Sequence, residues 1–257
     1  MKKSDSKRER KRMTFNDLLH LYNQKKAIYG TNTYKYISQL LREAKVIHKE
    51  YFLRSDTAEK ARAKGKTPDH EQSWRAFKGK NLEKLVIHIL KDEVERLGLR
   101  IVEGNILERT NSSNLSRELN IIKRNLLIDY GEFGSHLPDV DMIIYEPMSQ
   151  KIIAVVSSKV TLRERIAQTG YWKIKLLNDD VTKHIKVFFV TPDEDGTLST
   201  KNPAKKGRAI VEVDTDGSYV MSEMQIEESD KVKMFDKFID DLKKILDVQK
   251  QNGQEAP

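Results

Sequence analysis

Cysteine is absent from the 257 residues, which excludes disulfides, zinc-thiolate sites, iron–sulfur clusters and a cysteine nucleophile. Long apolar runs are missing too. Stretches such as residues 152–156 fall far short of a membrane-spanning helix, and the amino terminus lacks the apolar segment of a signal peptide. These absences lead to the expectation of a soluble, cytoplasmic protein. No glycine-rich phosphate loop occurs, the histidines show no metal-ligand spacing, and nothing repeats at solenoid or propeller periods.

What the chain does have is positive charge, a formal +8 at pH 7, concentrated rather than spread. A surplus of this kind favours polyanionic partners. Residues 1–12 carry Lys2, Lys3, Lys7, Arg8, Arg10, Lys11 and Arg12 against Asp5 and Glu9, with no apolar periodicity. They read as a basic disordered tail, either a solubilising segment or one that touches phosphates.

Residues 13–73 follow as an amino-terminal helical region. Phe15, Leu18, Leu19, Tyr22 and Ile28 recur near helical spacing up to Gly30, and Tyr36, Ile37, Leu40, Leu41, Ala44, Ile47 and Tyr51 form a second stripe. Residues 54–73 are charged and poor in large apolar groups, ending near Gly65 and Pro68, so a linker or surface helix and a domain boundary are expected there.

The remaining residues, 74–257, read as an α/β domain with a mixed sheet. Leu82, Leu85, Val86, Ile89, Leu90, Val94 and Leu97 mark a helix ending at Gly98, and a short strand over 100–103 follows. Residues 105–136 are ambiguous, with helical spacing over 115–127. Residues 141–145 and 151–156 are β-branched runs around Pro147, a hairpin pattern. Beyond them come a helix over 162–176, weakened by Gly170, a buried strand over 185–191, a second hairpin pairing 209–213 with 218–221, and a terminal helix over 231–248.

Chemistry concentrates at the open end of the first hairpin. Side chains alternate along a strand, so Asp139 and Asp141 share one face if extended, as do Ser157 and Lys159 on the partner strand. A symmetric turn near Met148 sets Asp139 opposite Ser157, and a two-residue slip sets Asp141 there without changing the face. Either carboxylate then lies beside Lys159. Phosphodiester hydrolysis uses such a group: carboxylate oxygens hold a hard divalent cation, and a lysine orients water and offsets phosphate charge. The alternative reading of the acids is ordinary turn chemistry after Pro138. Pro192-Asp193 echoes that pair but reads as a surface turn.

Pro138-Asp139, a hairpin and then Ser157-Ser158-Lys159 resemble the PD-(D/E)xK nuclease signature, with serine where the second acid usually stands. The S-x-K form resembles the CCGG-recognising branch of type II restriction endonucleases, and the amino-terminal helical part is similar to the BsaWI type. The resemblance implies a restriction-endonuclease-like mixed β-sheet core flanked by helices, Mg²⁺ as cofactor, and a relocated carboxylate completing the metal site. Many relatives carry that acid about a dozen residues past the lysine. Here residues 166–178 contain none. The substitute is Glu83, from the helix preceding the hairpin, whose plain reading is a helix-starting acid favoured by the helix dipole. The expected metal ligands are therefore Glu83, Asp139 and Asp141, with Asp139 slightly favoured over Asp141 because it follows the proline, and Lys159 acts beside them.

Arg163-Glu164-Arg165 just after the lysine matches the position at which that branch reads its central base pairs. Arginine donates bidentately to guanine and a carboxylate accepts from cytosine, although mixed charge on a helix ordinarily means a solvated face. Tyr171 and Trp172 read as core residues before DNA contacts. The function so implied is site-specific hydrolysis of double-stranded DNA by a homodimer whose symmetry matches a palindrome. A structure-specific repair or recombination nuclease, and a DNA-binding module with a nuclease-like fold, remain alternatives.

The triplet generates a test. Arg163→Ala and Arg165→Ala are each expected to cost about 1–3 kcal/mol of affinity for a cognate duplex and much less for a scrambled one at the same salt concentration. Equal losses on both duplexes, measured by titration, would remove the triplet from base reading.

Overall fold

The computed structural model describes residues 12–161 and 165–254. They divide into two compact units, with the break between Asn81 and Leu82.

The first unit is helical. α1 (Phe15–Tyr29) begins after Thr14, whose backbone N–H donates to Asp17 Oδ2 at 2.7 Å, and ends at Gly30, where φ is +56°. α2 (Ile37–Leu53) buries the stripe of Leu40, Leu41 and Ala44. α3 (Asp56–Ala63) is the surface helix expected in the charged stretch. The break between units falls later than the sequence suggested, because α4 (His70–Arg96) is helical well before Leu82. Asp69 caps it by accepting the Gln72 N–H at 3.0 Å, and Trp74 is a buried anchor that the pattern beginning at Leu82 did not register.

The second unit is built on a six-stranded mixed sheet. Its strands are β1 (Arg100–Glu103), β4 (Met142–Glu146), β5 (Lys151–Ser158), β6 (Lys186–Thr191), β7 (Gly217–Val220) and β8 (Val232–Met234), side by side in that order. β4 runs antiparallel to both β1 and β5, whereas β5 to β8 are parallel to one another. The ambiguous stretch resolves into α5 (Gly104–Arg109), α6 (Arg117–Asn125) and a small ladder of β2 (Ile128–Asp129) with β3 (Ser135–His136). Parallel strands need crossovers: α7 (Arg165–Leu177) joins β5 to β6, α8 (Lys206–Asp214) joins β6 to β7, and residues 221–231, without a helix, join β7 to β8. α9 (Phe238–Gln254) closes the chain.

Two expectations fail here. Residues 209–213 lie in α8, so no second hairpin forms. The turn signal over 214–217 is real but joins a helix to a strand, since β7 pairs parallel to β6. Residues 232–234 are a strand rather than the start of the last helix, because Val232 and Met234 obey the two-residue period of β8 against β7. Gly170 does not break α7. A Cβ there would stand 2.9 Å from Asp214 Cβ, so glycine is what lets α7 pass close to α8.

One buried cluster covers a sheet face with Leu107, Ile122 and Leu126 from α5 and α6 and its flank, Ile143, Val155 and Val187 from the strands, and Leu176 from α7. Another gathers Ile166, Phe189, Val211, Val220 and Val232. Phe188, Tyr219 and Phe238 pack edge to face around β6 and β7, bringing α9 onto the sheet. Among the described residues, no helix is long and apolar enough to cross a membrane.

Gly104 is the tightest point. A Cβ on it would come 1.9 Å from Val140 O, and its own N–H donates to Asp141 O at 2.8 Å. Backbone cannot yield as a side-chain tip can. Gly104→Ala is therefore expected to destabilise the protein by about 1–3 kcal/mol, lowering the thermal midpoint by several degrees in a circular-dichroism melt. A wild-type melting curve would show that α5 does not buttress residues 140–141.

Candidate active site

Two strands and one helix converge at the open end of the β4–β5 hairpin. Near the turn, Glu146 pairs with Lys151 and Tyr145 with Ile152; a bulge then shifts the register, so that Ile144 pairs with Ala154 and Met142 with Val156. This is the slipped register of the two that the sequence allowed. Continued by one residue, it brings Asp141 level with Ser157, and the Asp141 N–H donates to Val156 O at 3.1 Å. The irregularity re-aims the side chains at the end of the ladder.

Asp141 is buried, and its Oδ2 accepts the Ser158 N–H at 2.6 Å. Lys159 is fixed by its own N–H, which donates to Val190 O of β6 at 3.3 Å. From there Lys159 Nζ donates to both oxygens of Asp141 at 2.8 Å and to Glu83 Oε1 of α4 at 3.0 Å. Three residues far apart in sequence thus form one ionic cluster. Their side chains expose only 24% (Lys159), 16% (Glu83) and 8% (Asp141) of their surface, so water screens the charges weakly.

The electrostatics follow from that burial. Burial, and after it repulsion from Asp141, pushes the Glu83 carboxyl up to about 7 against the opposing pull of Lys159. For Lys159 burial alone would lower the pKa, but Asp141 and Glu83 outweigh it and hold the ammonium above its ordinary value. The cluster has one strongly held cation facing two carboxylates, and Glu83 sits near its titration point at neutral pH.

Asp139 is elsewhere. It lies outside any strand, and its Oδ2 accepts a hydrogen bond from Gln168 Nε2 of α7 at 2.9 Å. The expected trio of metal-binding acids is not assembled: among the described residues no group of three acids or histidines is placed to hold a metal, and only Glu83 and Asp141 meet. The reason is local. Residues 137–140 belong to no strand, and the Val140 N–H donates to Pro138 O at 2.9 Å in a tight turn, so strand alternation does not govern the step from Asp139 to Asp141. Arg163 and Glu164 lie outside the described residues, and Arg165 opens α7. Trp172 packs against the core cluster, whereas Tyr171 is exposed. The turn expected after Pro192 forms, with the Gly196 N–H donating to Asp193 O at 2.9 Å, but Asp193 itself is buried: its carboxylate accepts the Thr197 and Leu198 N–H groups at 2.9 Å, and burial pushes it up to about 6.

Sequence reasoning missed Gln168 and Gly104. A polar side chain on the first turns of the helix after the lysine was a usable signal for Gln168. Nothing local marks Gly104, whose role comes from the approach of residue 140.

A mixed sheet carrying a carboxylate–lysine cluster at a hairpin end, with a carboxylate from a preceding helix, defines a restriction-endonuclease fold. The solved structure described as a complex of the restriction endonuclease PspGI with substrate DNA matches that fold with a TM-score of 0.54 at 16% identity, over 91% of this chain and 93% of that one. The profile of the family BsaWI restriction endonuclease type 2 matches residues 118–241. MjaVIP of Methanocaldococcus jannaschii, which carries the name of a type II restriction enzyme, is 39% identical over 199 residues, 76% of this chain and 82% of the relative. HpyAORF263P of Helicobacter pylori, similarly named, is 37% identical over 134 residues, 52% of this chain and 67% of the relative. The chain belongs to the BsaWI-like type II restriction endonucleases, a family of DNA nucleases.

The raised pKa of Glu83 has a measurable consequence in metal-free protein. The native state keeps this proton up to about pH 7, whereas the unfolded chain loses it near about 4.3. Stability therefore falls as pH rises between those values and is flat above them, by roughly 3–4 kcal/mol unscreened and on the order of 2–3 kcal/mol once solvent screening of the partly exposed carboxyl is allowed for. With a chelator present, Glu83→Gln is expected to lose this slope and to exceed the wild type in stability at pH 8. Parallel pH profiles of the denaturation midpoint would contradict the assignment.

Proposed function

We propose that the chain cleaves both strands of DNA at a palindrome containing G·C pairs, in a Mg²⁺-dependent reaction for which Asp141, Glu83 and Lys159 form the active site. The observation that carries this reading is the contact of Lys159 Nζ with both Asp141 and Glu83. The donor set fits a hard divalent cation. It offers carboxylate oxygens only, from two elements, and Glu83 carries a raised pKa that a second positive charge would relieve. Asp141 and Glu83 would hold the ion, which when bound polarises the phosphate and makes water a better nucleophile.

The side chains supply the rest. Lys159, kept charged by its two partners, offsets negative charge on the phosphate and orients water through a donor hydrogen. The Ser158 N–H fixes the Asp141 carboxylate at 2.6 Å, so its free lone pairs keep one direction. Asp139 is assigned to positioning through Gln168, and Arg163, Glu164 and Arg165 to reading bases.

Lys159→Ala is expected to reduce plasmid cleavage in Mg²⁺ by on the order of 10²–10⁴-fold while leaving binding to a cognate duplex within a few-fold of wild type. Asp141→Ala should be as severe and Asp139→Ala milder. Cleavage by Lys159→Ala at the wild-type rate would overturn the active-site assignment. Restriction fragments from a sequenced plasmid read out the site itself.

A further inference from the structure

The stretch that carries Lys159 leaves β5 alongside the turn that leaves β6. In the parallel pairing of these strands the Lys159 N–H donates to Val190 O at 3.3 Å, so the next backbone donor on the β6 side belongs to residue 192. That residue is Pro192, which has no N–H. The pairing is taken up again beyond the proline, where the Glu194 N–H donates to Val160 O at 3.3 Å. What turns the chain to bring Glu194 there is Asp193, whose φ of +50° lies in the left-handed region that few side chains adopt. A buried carboxylate secures the turn. Asp193 Oδ1 accepts the Thr197 N–H and Oδ2 the Leu198 N–H, both at 2.9 Å, and the Asp193 N–H donates to Thr191 Oγ1 at 2.9 Å.

We propose that Asp193 is a positioning residue for Lys159, holding through the Glu194–Val160 contact the backbone from which that ammonium is presented; the proposal rests on the active-site reading above. Lys159 Nζ meets Asp141 at 2.8 Å and Glu83 at 3.0 Å at once, and a long side chain keeps two such partners only from a fixed backbone. Val190 O holds the amide of Lys159, and Glu194 holds the carbonyl of the residue after it. The same turn reaches α7. Leu198, seated by its bond to Asp193, lies in one buried cluster with Ile166 at the start of that helix. The chain is thereby buttressed both just after Lys159 and where α7 begins. A turn that only closed a surface loop would need no buried acid. Burial pushes the Asp193 carboxyl up to about 6 in spite of its two N–H bonds, so the group is kept there at a cost.

The test reads Lys159 directly, by the rate at which its ammonium protons exchange with water in ¹⁵N NMR spectra of the full chain without metal or DNA. Lys233, paired with Asp241 at 2.7 Å and, like Lys159, 24% exposed, is the internal reference. Asp193→Gly permits the left-handed turn but removes the carboxylate. It is expected to speed exchange at Lys159 by about tenfold or more and to leave Lys233 unchanged. Asp193→Asn tolerates the same φ and retains one acceptor oxygen, so it should fall between, and it carries the test if the glycine variant does not fold. In plasmid cleavage with Mg²⁺ each variant should lower kcat in step with its effect on exchange, by about tenfold for the glycine, with KM within about twofold of wild type. Exchange at Lys159 that keeps the wild-type rate, exchange that rises equally at Lys159 and Lys233, or an unchanged kcat where exchange at Lys159 has risen overturns the proposal. If Lys159 responds as expected but the wild type never cuts DNA, Asp193 still positions it and the nuclease reading fails instead.

Discussion

Everything in the second unit is arranged around one ammonium group held between two carboxylates. A lysine paired with one buried acid could form on a single hairpin. Bringing Glu83 to the same nitrogen requires α4 to be fixed against a sheet end whose strands arrive from much later in the chain. Burial, and after it the like charge of Asp141, push the Glu83 carboxyl up, so the pair of acids is held against a penalty in a weakly screened place. Such an arrangement is not the most stable packing of these residues. It persists because the surrounding backbone leaves little freedom: Lys159 is tied to β6 through Val190, and Asp141 is tied to β5 through Val156 and to α5 through Gly104.

That backbone shows which parts of the design a sequence can reveal. The hairpin was legible from its β-branched runs and Pro147, and the mixed sheet from alternation of helical and strand periods, because both patterns are local. The pairing of Lys159 with a carboxylate was legible because a two-residue slip preserves the face. What settled Asp141 over Asp139 was a register shift between Ile144 and Tyr145, which no residue in the run announces. The misreading of 209–213 as a strand has the same origin. A β-branched, amphipathic run of five residues satisfies both periods, and its state was decided by β7 lying parallel to β6, a non-local fact that demands a crossover.

Glu83 was legible only through family resemblance, since its own surroundings read as an ordinary helix start. Its burial and its raised pKa distinguish it, and both depend on tertiary contacts. The boundary between units was displaced for a related reason. The apolar stripe that begins at Leu82 is the part of α4 belonging to the second unit, whereas the helix itself starts at His70.

The position of Asp139 gives the site a second connection to α7. The chain leads from Lys159 through residues 162–164 into that helix, so whatever fixes this segment acts on the lysine end of the cluster. Gln168, three residues into the helix from Arg165, donates to Asp139, two residues before Asp141, and so acts on the carboxylate end. On the proposed reading the segment between these anchors meets the bases. A wrong base pair would leave charged donors without partners, at a cost of about 1–3 kcal/mol each. The carboxylate of the Pro-Asp pair thus acts through position: Asp139 joins α7 to the segment that runs through Asp141 into β4, so both ends of the Lys159–Asp141 contact are tied to the same helix.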